Sequence, residues 1–280
     1  MKNLSLIFVL CTTWSIFSQS TDELFLGCGN AYFVDANQGS ELFSTCREEG
    51  CLMYVGTRFC DTLRSVAYYQ DEVFTGTARY VFENQLLAEY TFKDGLVQHF
   101  TNYFKDGKVW VDAEYKDGVH HGTKKEFLED GSIYSIEHYT NGILNGEYCR
   151  RLDRVDYGDG ESYFLLKGIY VNGMREGPWV MVRDDAENYG CDNGTMYESM
   201  TYLNDSLHGE YLMFYRNGNL KEVAHYDRGR ITGDYVSYRL NGTVFYSTKF
   251  INGNGETRAL YNDGEWELNQ IYENGFAINR

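Results

Sequence analysis

The chain has 280 residues, enough for one or two domains with a hydrophobic core, and its 41 acidic and 25 basic residues give a formal net charge of −16. A negative surface of this size repels phosphate backbones and anionic lipid heads, so the charge excludes nucleic acids and membrane surfaces as expected partners. Aromatic residues make up 16 % of the chain, with 29 Gly and 1 Pro, which excludes disorder and favours many short strands joined by tight glycine turns.

Residues 1–20 are predicted to be a secretory signal peptide. Lys2 supplies a positive start, an apolar run extends from Leu4 to Ile16, and Ser18-Gln19-Ser20 offers a cleavage site after either serine. The run is too short to span a bilayer. Cys11 leaves a lipoprotein signal as an alternative, which the bulky Leu10 before it disfavours. We therefore expect a secreted, periplasmic or cell-surface protein that is not inserted in the membrane.

Residues 21–68 are predicted to form a cysteine-rich cap that precedes the repeats. Once the signal is removed, an even number of cysteines remains in an oxidising compartment, which favours disulfides over free buried thiols. These cysteines are Cys28, Cys46, Cys51, Cys60, Cys149 and Cys191. The pairing of the first four cannot be deduced from the sequence. If those four pair among themselves, Cys149 and Cys191 are left to pair with each other.

Residues 69–280 carry an internal repeat. An aromatic residue, any residue, Asn or Asp, and then Gly recur nine times, after Phe92, Phe104, Tyr115, Tyr139, Tyr170, Tyr215, Phe250, Tyr261 and Tyr272. Asn-Gly and Asp-Gly suit type I′ hairpin turns, in which both central residues have positive φ. Two strands and two turns make a unit of about 24 residues, and a second glycine follows the turn glycine four residues later in most units.

The repeat predicts an all-β fold. Equivalent residues of successive units should stack because neighbouring strands lie about 4.8 Å apart. Tyr148, Trp179, Tyr211 and Tyr235 share one such column. We predict an elongated, twisted antiparallel meander of stacked β-hairpins, of about fourteen strands between Gly95 and Gly275, with a disulfide-stapled N-terminal cap.

The period is interrupted by two insertions, near residues 152–163 and 184–194. Both are rich in acidic residues, Asn and Gly, and we expect protruding loops or an extra hairpin there. Loops on a rigid scaffold are common binding sites, so the second insertion supplies the candidate binding residues Asp184, Asp185, Glu187 and Tyr189. Carboxylates clustered on the first insertion are calcium candidates, with a solvated acidic loop as the alternative: Asp153, Asp156, Asp159 and Glu161.

The stretch from Gly209 to Glu222, GEYLMFYRNGNLKE, resembles the MORN-repeat variant of bacterial YwqK-like antitoxin-component proteins. Residues 233–244, Gly146-Glu147-Tyr148 and Gly177-Pro178-Trp179 match it in part, and the resemblance extends over roughly residues 69 to 275. It implies an antiparallel scaffold of stacked hairpins. The predicted export signal departs from a cytoplasmic antitoxin, but binding of an exported toxin is compatible with it.

The sequence contains no motif of a known catalytic site, phosphate-binding loop or metalloprotease helix. We therefore expect a non-enzymatic scaffold without a cofactor that binds another protein, in the manner of an antitoxin or immunity protein. One alternative is a glycan-binding module of the cell envelope, because exposed tyrosines stack on sugar rings. Burial of Tyr211, Tyr235 and Trp179 would remove its main support. An uncharacterised enzyme is the other alternative.

Overall fold

A computed structural model describes residues 23–27, 31–35, 52–59, 62–69, 72–82, 85–156, 161–184, 195–260 and 267–278. The described residues form β-strands and turns and contain no helix, which confirms the all-β prediction. The chain divides into two compact units. The first holds the described residues up to Gly131 together with Tyr139–Ile143, and the second holds Ser132–His138 and the described residues from Leu144 onward.

The first unit contains two sets of paired strands. Its strands are β1 (Glu23–Gly27), β2 (Ala31–Asp35), β3 (Leu52–Phe59), β4 (Thr62–Tyr69), β5 (Glu72–Val73), β6 (Gly76–Phe82), β7 (Gln85–Lys93), β8 (Leu96–Tyr103), β9 (Val109–Lys116) and β10 (Val119–Phe127). Strands β2 to β5 form one sheet, and β1 pairs with β6, which begins the meander β6 to β10. The pairs β1–β6 and β2–β3 are parallel, and both involve strands of the predicted cap, outside the predicted antiparallel meander.

The second unit is built on a longer antiparallel meander. Strand β11 (Ile133–Thr140) contributes residues to both units, and it is followed by β12 (Ile143–Asp156), β13 (Glu161–Val171), β14 (Met174–Asp184), β15 (Thr195–Leu203), β16 (Ser206–Leu207), β17 (Gly209–Phe214), β18 (Leu220–Asp227), β19 (Arg230–Tyr238) and β20 (Val244–Phe250). Consecutive strands from β12 to β20 are neighbours, except that β15 pairs with both β16 and β17.

The meander does not continue to Gly275 as predicted. β20 is its last strand, and β21 (Gly255–Leu260), β22 (Glu267–Glu273) and β23 (Phe276–Ile278) form a separate three-stranded sheet. This sheet packs on β18, β19 and β20 through aromatic contacts such as Phe250–Tyr272, whose ring centroids are 5.4 Å apart. Gly255 permits the change of direction, because a Cβ there would lie 2.9 Å from the Phe250 ring.

Two kinds of turn alternate along the repeats. In the type I′ turns, both central residues have positive φ, as at Asn141-Gly142 (51° and 82°) and Asn172-Gly173 (50° and 83°). The same holds after Phe92, Tyr115, Tyr202, Tyr226, Phe250 and Tyr272, which confirms the predicted turn type at these positions.

The turns after Phe104 and Tyr215 are not type I′, which corrects the prediction there. Among the described residues only the glycine of each has positive φ, Gly107 at 84° and Gly218 at 83°. The N–H of Gly218 donates to the Tyr215 carbonyl at 2.9 Å, and the Asn217 side chain accepts from the Asn219 N–H at 3.0 Å. This is a three-residue loop, a type I turn followed by a left-handed glycine, and the Asn side chain stabilises it by capping a backbone donor.

Successive type I′ turns are hydrogen-bonded to one another, and we call this arrangement the turn ladder. In each case a backbone N–H of one turn donates to the carbonyl of the second residue after the preceding turn. In the first unit Gly118 donates to Val97 and Gly142 to His120; in the second, Gly173 donates to Leu144, Asp205 to Arg175 and Gly229 to Leu207, at 2.7–3.2 Å. The ladder links each of these turns to the one before it, although the insertions make their spacing along the sequence unequal.

In its described part, the first insertion lengthens strands rather than forming a loop. Of the second insertion, only Asp184 lies within the described residues, at the end of β14. Strands β12 and β13 pair as far as Asp156 and Glu161, and β14 and β15 pair as far as Arg183 and Thr195. The expectation of protruding loops is therefore wrong for the described part of the first insertion, while that of an extra hairpin is close to what is observed.

The core of the second unit contains the predicted aromatic column. Trp179 and Tyr235 are 0 % and 1 % exposed. Tyr148 and Tyr170 pack on the Trp179 ring at 5.6 and 5.2 Å between centroids. Gly168 on the neighbouring strand makes room for this indole, because a Cβ there would lie 2.1 Å from Trp179 Cδ2.

Candidate functional site

Four large apolar side chains are exposed on one face of β13, β14 and β15 in the second unit. They are Ile169 (44 % exposed), Val171 (43 %), Met174 (40 %) and Leu203 (37 %), and we call them the outer patch. Single exposed apolar residues are ordinary, but a group on adjacent strands indicates an interaction surface.

The strand geometry fixes the direction of these side chains. Tyr170 and Tyr202 pack against buried Trp179, so they point to the inner face of the sheet. Side chains alternate along a strand, so Ile169, Val171 and Leu203 point to the opposite, outer face. The type I′ turn at Asn172-Gly173 sets Val171 directly opposite Met174. The patch is thus a product of the repeat geometry.

Two carboxylates border the outer patch. Ile169 is paired with Glu147 on β12 and with Glu176 on β14, so the three side chains form one row across three strands. Glu147 is exposed, and Glu176 accepts a hydrogen bond from the Asn204 N–H at 2.9 Å. Within the described ranges neither carboxylate forms an ion pair.

The inner face carries two acid–tyrosine pairs at one repeat's separation. Tyr235 Oη donates to Glu222 Oε2 at 2.9 Å and lies 3.2 Å from the Arg258 carbonyl of β21. Tyr211 and Glu198 occupy the equivalent positions 24 residues earlier and interact electrostatically. Ser237 also donates to the Arg258 carbonyl, at 2.5 Å. The Tyr235–Glu222 pair, together with Ser237, therefore connects the C-terminal sheet to the meander.

Burial governs the protonation of these pairs. Desolvation raises the pKa of Glu198 and of Glu222 above the usual range for a carboxyl group. Desolvation also raises the pKa of Tyr211 and of Tyr235, and the neighbouring carboxylates add to it because they disfavour a phenolate. Both tyrosines thus remain hydrogen-bond donors at ordinary pH, and we assign the pairs a structural role.

Two open clefts of about 300 Å³ lie elsewhere. The one in the second unit is lined by Asp227, Arg230, Thr232, Asn252, Gly253 and Asn274. The one in the first unit is lined by Gln85, Leu86, Tyr103, Lys105, Asp106 and Gly107. Neither includes the residues of the acid–tyrosine pairs or of the outer patch.

The structure places few of the predicted site residues. Asp153 and Asp156 lie in β12 and Glu161 begins β13, whereas Asp159 lies outside the described residues. Among side chains that are described, no group of three or more His, Cys, Asp or Glu is arranged to hold a metal ion. Of the candidate binding residues, Asp184 ends β14, and Asp185, Glu187 and Tyr189 lie outside the described ranges.

The cysteine predictions are mostly outside the described residues. Cys149 is buried at 6 % exposure and packs with Leu165 and Val182. Cys149 is disulfide-bonded. Cys28, Cys46, Cys51, Cys60 and Cys191 lie outside the described ranges, so the disulfides of the cap and the assignment of Cys191 as the partner of Cys149 stay predictions.

Sequence reasoning missed the outer patch because it looked for binding residues in the insertions. A signal was present, since Ile169-Tyr170-Val171 places an aromatic core residue between two aliphatic ones just before an Asn-Gly turn. Residues on both sides of a core residue in a strand must face away from that core. Ile169 and Val171 are therefore placed on the face opposite the aromatic core.

Two histidines with a structural role were also missed. His138 Nδ1 lies 2.8 Å from the Glu147 carbonyl, and His225 Nδ1 lies 3.1 Å from the Asp234 carbonyl. A carbonyl only accepts, so Nδ1 carries the proton in each contact. The signal in the sequence is the shared order His-Tyr, two residues, then Gly, in which the histidine directly precedes the tyrosine of the repeat, Tyr139 or Tyr226.

Comparison of the sequence with known protein families finds similarity at two of the hairpins. The MORN repeat variant family matches residues 121–141 and 207–228. These stretches cover most of β10 and β11 in one case, and β16 to β18 in the other, and each contains one of the two histidines that contact the next strand. No curated protein matches the chain. In the structure described here no helix is long and apolar enough to cross a membrane. Two stretches of the hairpin meander are therefore similar to the MORN repeat variant.

Proposed function

We propose that this protein is a non-enzymatic scaffold that binds another protein through the outer patch. The observation that carries the proposal is the exposure of Ile169, Val171, Met174 and Leu203 on one face of three adjacent strands. Side chains of this size lose contact with water favourably when a partner covers them. The meander supports the patch rigidly, which lowers the entropic cost of binding.

The aromatic residues favour this proposal over glycan binding. Trp179 and Tyr235 are fully buried, and Tyr211 is partly buried beside Glu198. Rings in these positions are not available to stack on a sugar. The patch itself is aliphatic, and aliphatic side chains suit a protein surface better than a sugar ring.

The proposal extends to export and to an immunity-like role. Export is supported by the signal-like pattern of residues 1–20. An immunity-like role is supported only by the resemblance of Gly209–Glu222 to YwqK-like antitoxin components. In this role the outer patch would bind and block an exported toxin.

Site-specific photocrosslinking tests the binding surface. A benzophenone amino acid at Val171 is compared in native cell-envelope extract with the same amino acid at Val244, an exposed valine on β20 (53 % exposed) outside the patch. We expect a discrete crosslinked protein from position 171, its absence from position 244, and its loss when Met174→Lys is added. Equal crosslinking from both positions, or a product that survives Met174→Lys, would contradict the proposal.

A further inference from the structure

We infer that the outer patch binds a cationic, amphipathic protein segment, in which an apolar side chain lies between two Lys or Arg residues. The inference rests on the proposed function and adds the chemistry of the partner. It comes from the row Glu147–Ile169–Glu176, in which an exposed apolar residue lies between two carboxylates.

The register fixes the spacing of the three groups. Glu147, Ile169 and Glu176 are on three successive strands and are directly opposite one another. Strands are about 4.8 Å apart, so the two acidic residues flank Ile169 at a mutual backbone separation of about 10 Å. A segment that covers Ile169 therefore covers the space between the two carboxylates as well.

The cost of desolvation selects the charge of the partner. A neutral partner that buries Ile169 removes water from both carboxylates and offers nothing in return, which is unfavourable. An acidic partner adds repulsion. A partner with a cation on each side of its apolar residue replaces the lost water with ion pairs, so only this chemistry gains from the apolar and the charged groups together.

Among the described residues, two other carboxylates of the second unit, unlike Glu147 and Glu176, lie within ion-pair distance of a cation. Asp205, near the turn, is held by the Arg175 guanidinium at 2.9 Å. Asp234, farther along the same face, lies 3.9 Å from Lys249. Glu147 and Glu176 differ from both in having no cation within ion-pair distance in the described part of the chain. The net charge of −16 also attracts a basic partner at long range.

Peptide binding to the full-length protein tests the inference. The probe is a fluorescent seven-residue peptide in which Lys alternates with Val, and it is compared with the peptide that has Glu in place of Lys. We expect saturable binding of the Lys peptide, weaker at high salt, and no binding of the Glu peptide. The double variant Glu147→Gln/Glu176→Gln should weaken binding about tenfold, which corresponds to roughly 1.4 kcal/mol.

A matched control has the same change in net charge elsewhere. Glu267→Gln/Glu273→Gln replaces two exposed glutamates of the C-terminal sheet, outside the patch, and we expect its affinity for the Lys peptide to stay within about twofold of the parent, since distant surface charges are screened. Equal losses in both double variants, or equal binding of the Lys and Glu peptides, would overturn the inference. Retained crosslinking from Val171 with no effect of Glu147→Gln/Glu176→Gln would leave the proposed function standing and refute the cationic partner. Absence of any crosslink from Val171 would refute the proposed function itself.

Discussion

Replacing Tyr235 with phenylalanine removes one hydroxyl from the contact between the meander and the C-terminal sheet. The ring is 1 % exposed, and phenylalanine fills nearly the same volume but lacks the hydroxyl. The hydroxyl donates to Glu222 at 2.9 Å and lies 3.2 Å from the Arg258 carbonyl, so its loss leaves a desolvated carboxylate without its donor. A hydrogen bond to a charged group contributes about 1.5–3 kcal/mol, and we expect the free energy of unfolding of the second unit to fall by about 2–3 kcal/mol.

Urea unfolding followed by tyrosine and tryptophan fluorescence measures this change, because the buried Trp179 reports on the second unit. The control is Tyr246→Phe, which removes a phenol hydroxyl that forms no hydrogen bond within the described residues and should change stability by less than about 0.5 kcal/mol. In a double-mutant cycle, Tyr235→Phe should cost less when Glu222 is already glutamine. A loss below about 0.5 kcal/mol, or a full loss in both backgrounds, would refute the assignment of the acid–tyrosine pair as the fastening of the C-terminal sheet.

Two further predictions concern pH and export. Burial raises the pKa of Glu222 above its usual value of 4.5, so the folded state binds this proton more tightly than the unfolded state does. The contribution of Glu222 to the free energy of unfolding is therefore complete below pH 4.5 and is lost as the pH rises through the folded-state pKa. Glu222→Gln should flatten this decline in urea titrations at several pH values. An unchanged pH profile would show that Glu222 is not the source of the decline. N-terminal sequencing of protein recovered from outside the cytoplasm should begin at Gln19 or Thr21, and an N-terminus at Met1 would contradict cleavage of a signal peptide.

The turn dipeptides show how far the sequence specifies the fold. Asn or Asp followed by Gly correctly marks the ends of hairpins, but the same dipeptide occurs at Asn172-Gly173 and at Asn217-Gly218 in two different turns. The difference lies in the loop length, which depends on how the flanking strands pair. Pairing is a tertiary property, so the position of turns was predictable and their type only in part.

The candidate site was less predictable than the fold. The repeat pattern correctly placed Trp179 and Tyr235 in the core, because large side chains at equal spacing in a stacked sheet are best explained as core. The outer patch departs from that rule, since Ile169 and Val171 are apolar positions on the solvent side. The break in the meander after Phe250 was also not predictable, because the turn at Asn252-Gly253 has the same dihedral signature as the turns that continue the meander.

The turn ladder restricts where this protein can accept inserted residues. Every type I′ turn of the ladder is bonded to its predecessor, so an extra residue there would break two rungs at once. Among the described residues, the opposite ends of the hairpins show no such backbone ladder, and both insertions, between Asp156 and Glu161 and between Asp184 and Thr195, are found on that side. Insertions at the type I′ turns would therefore disrupt the ladder. Insertions at the opposite hairpin ends can be accepted during evolution without disturbing the stacking of repeats.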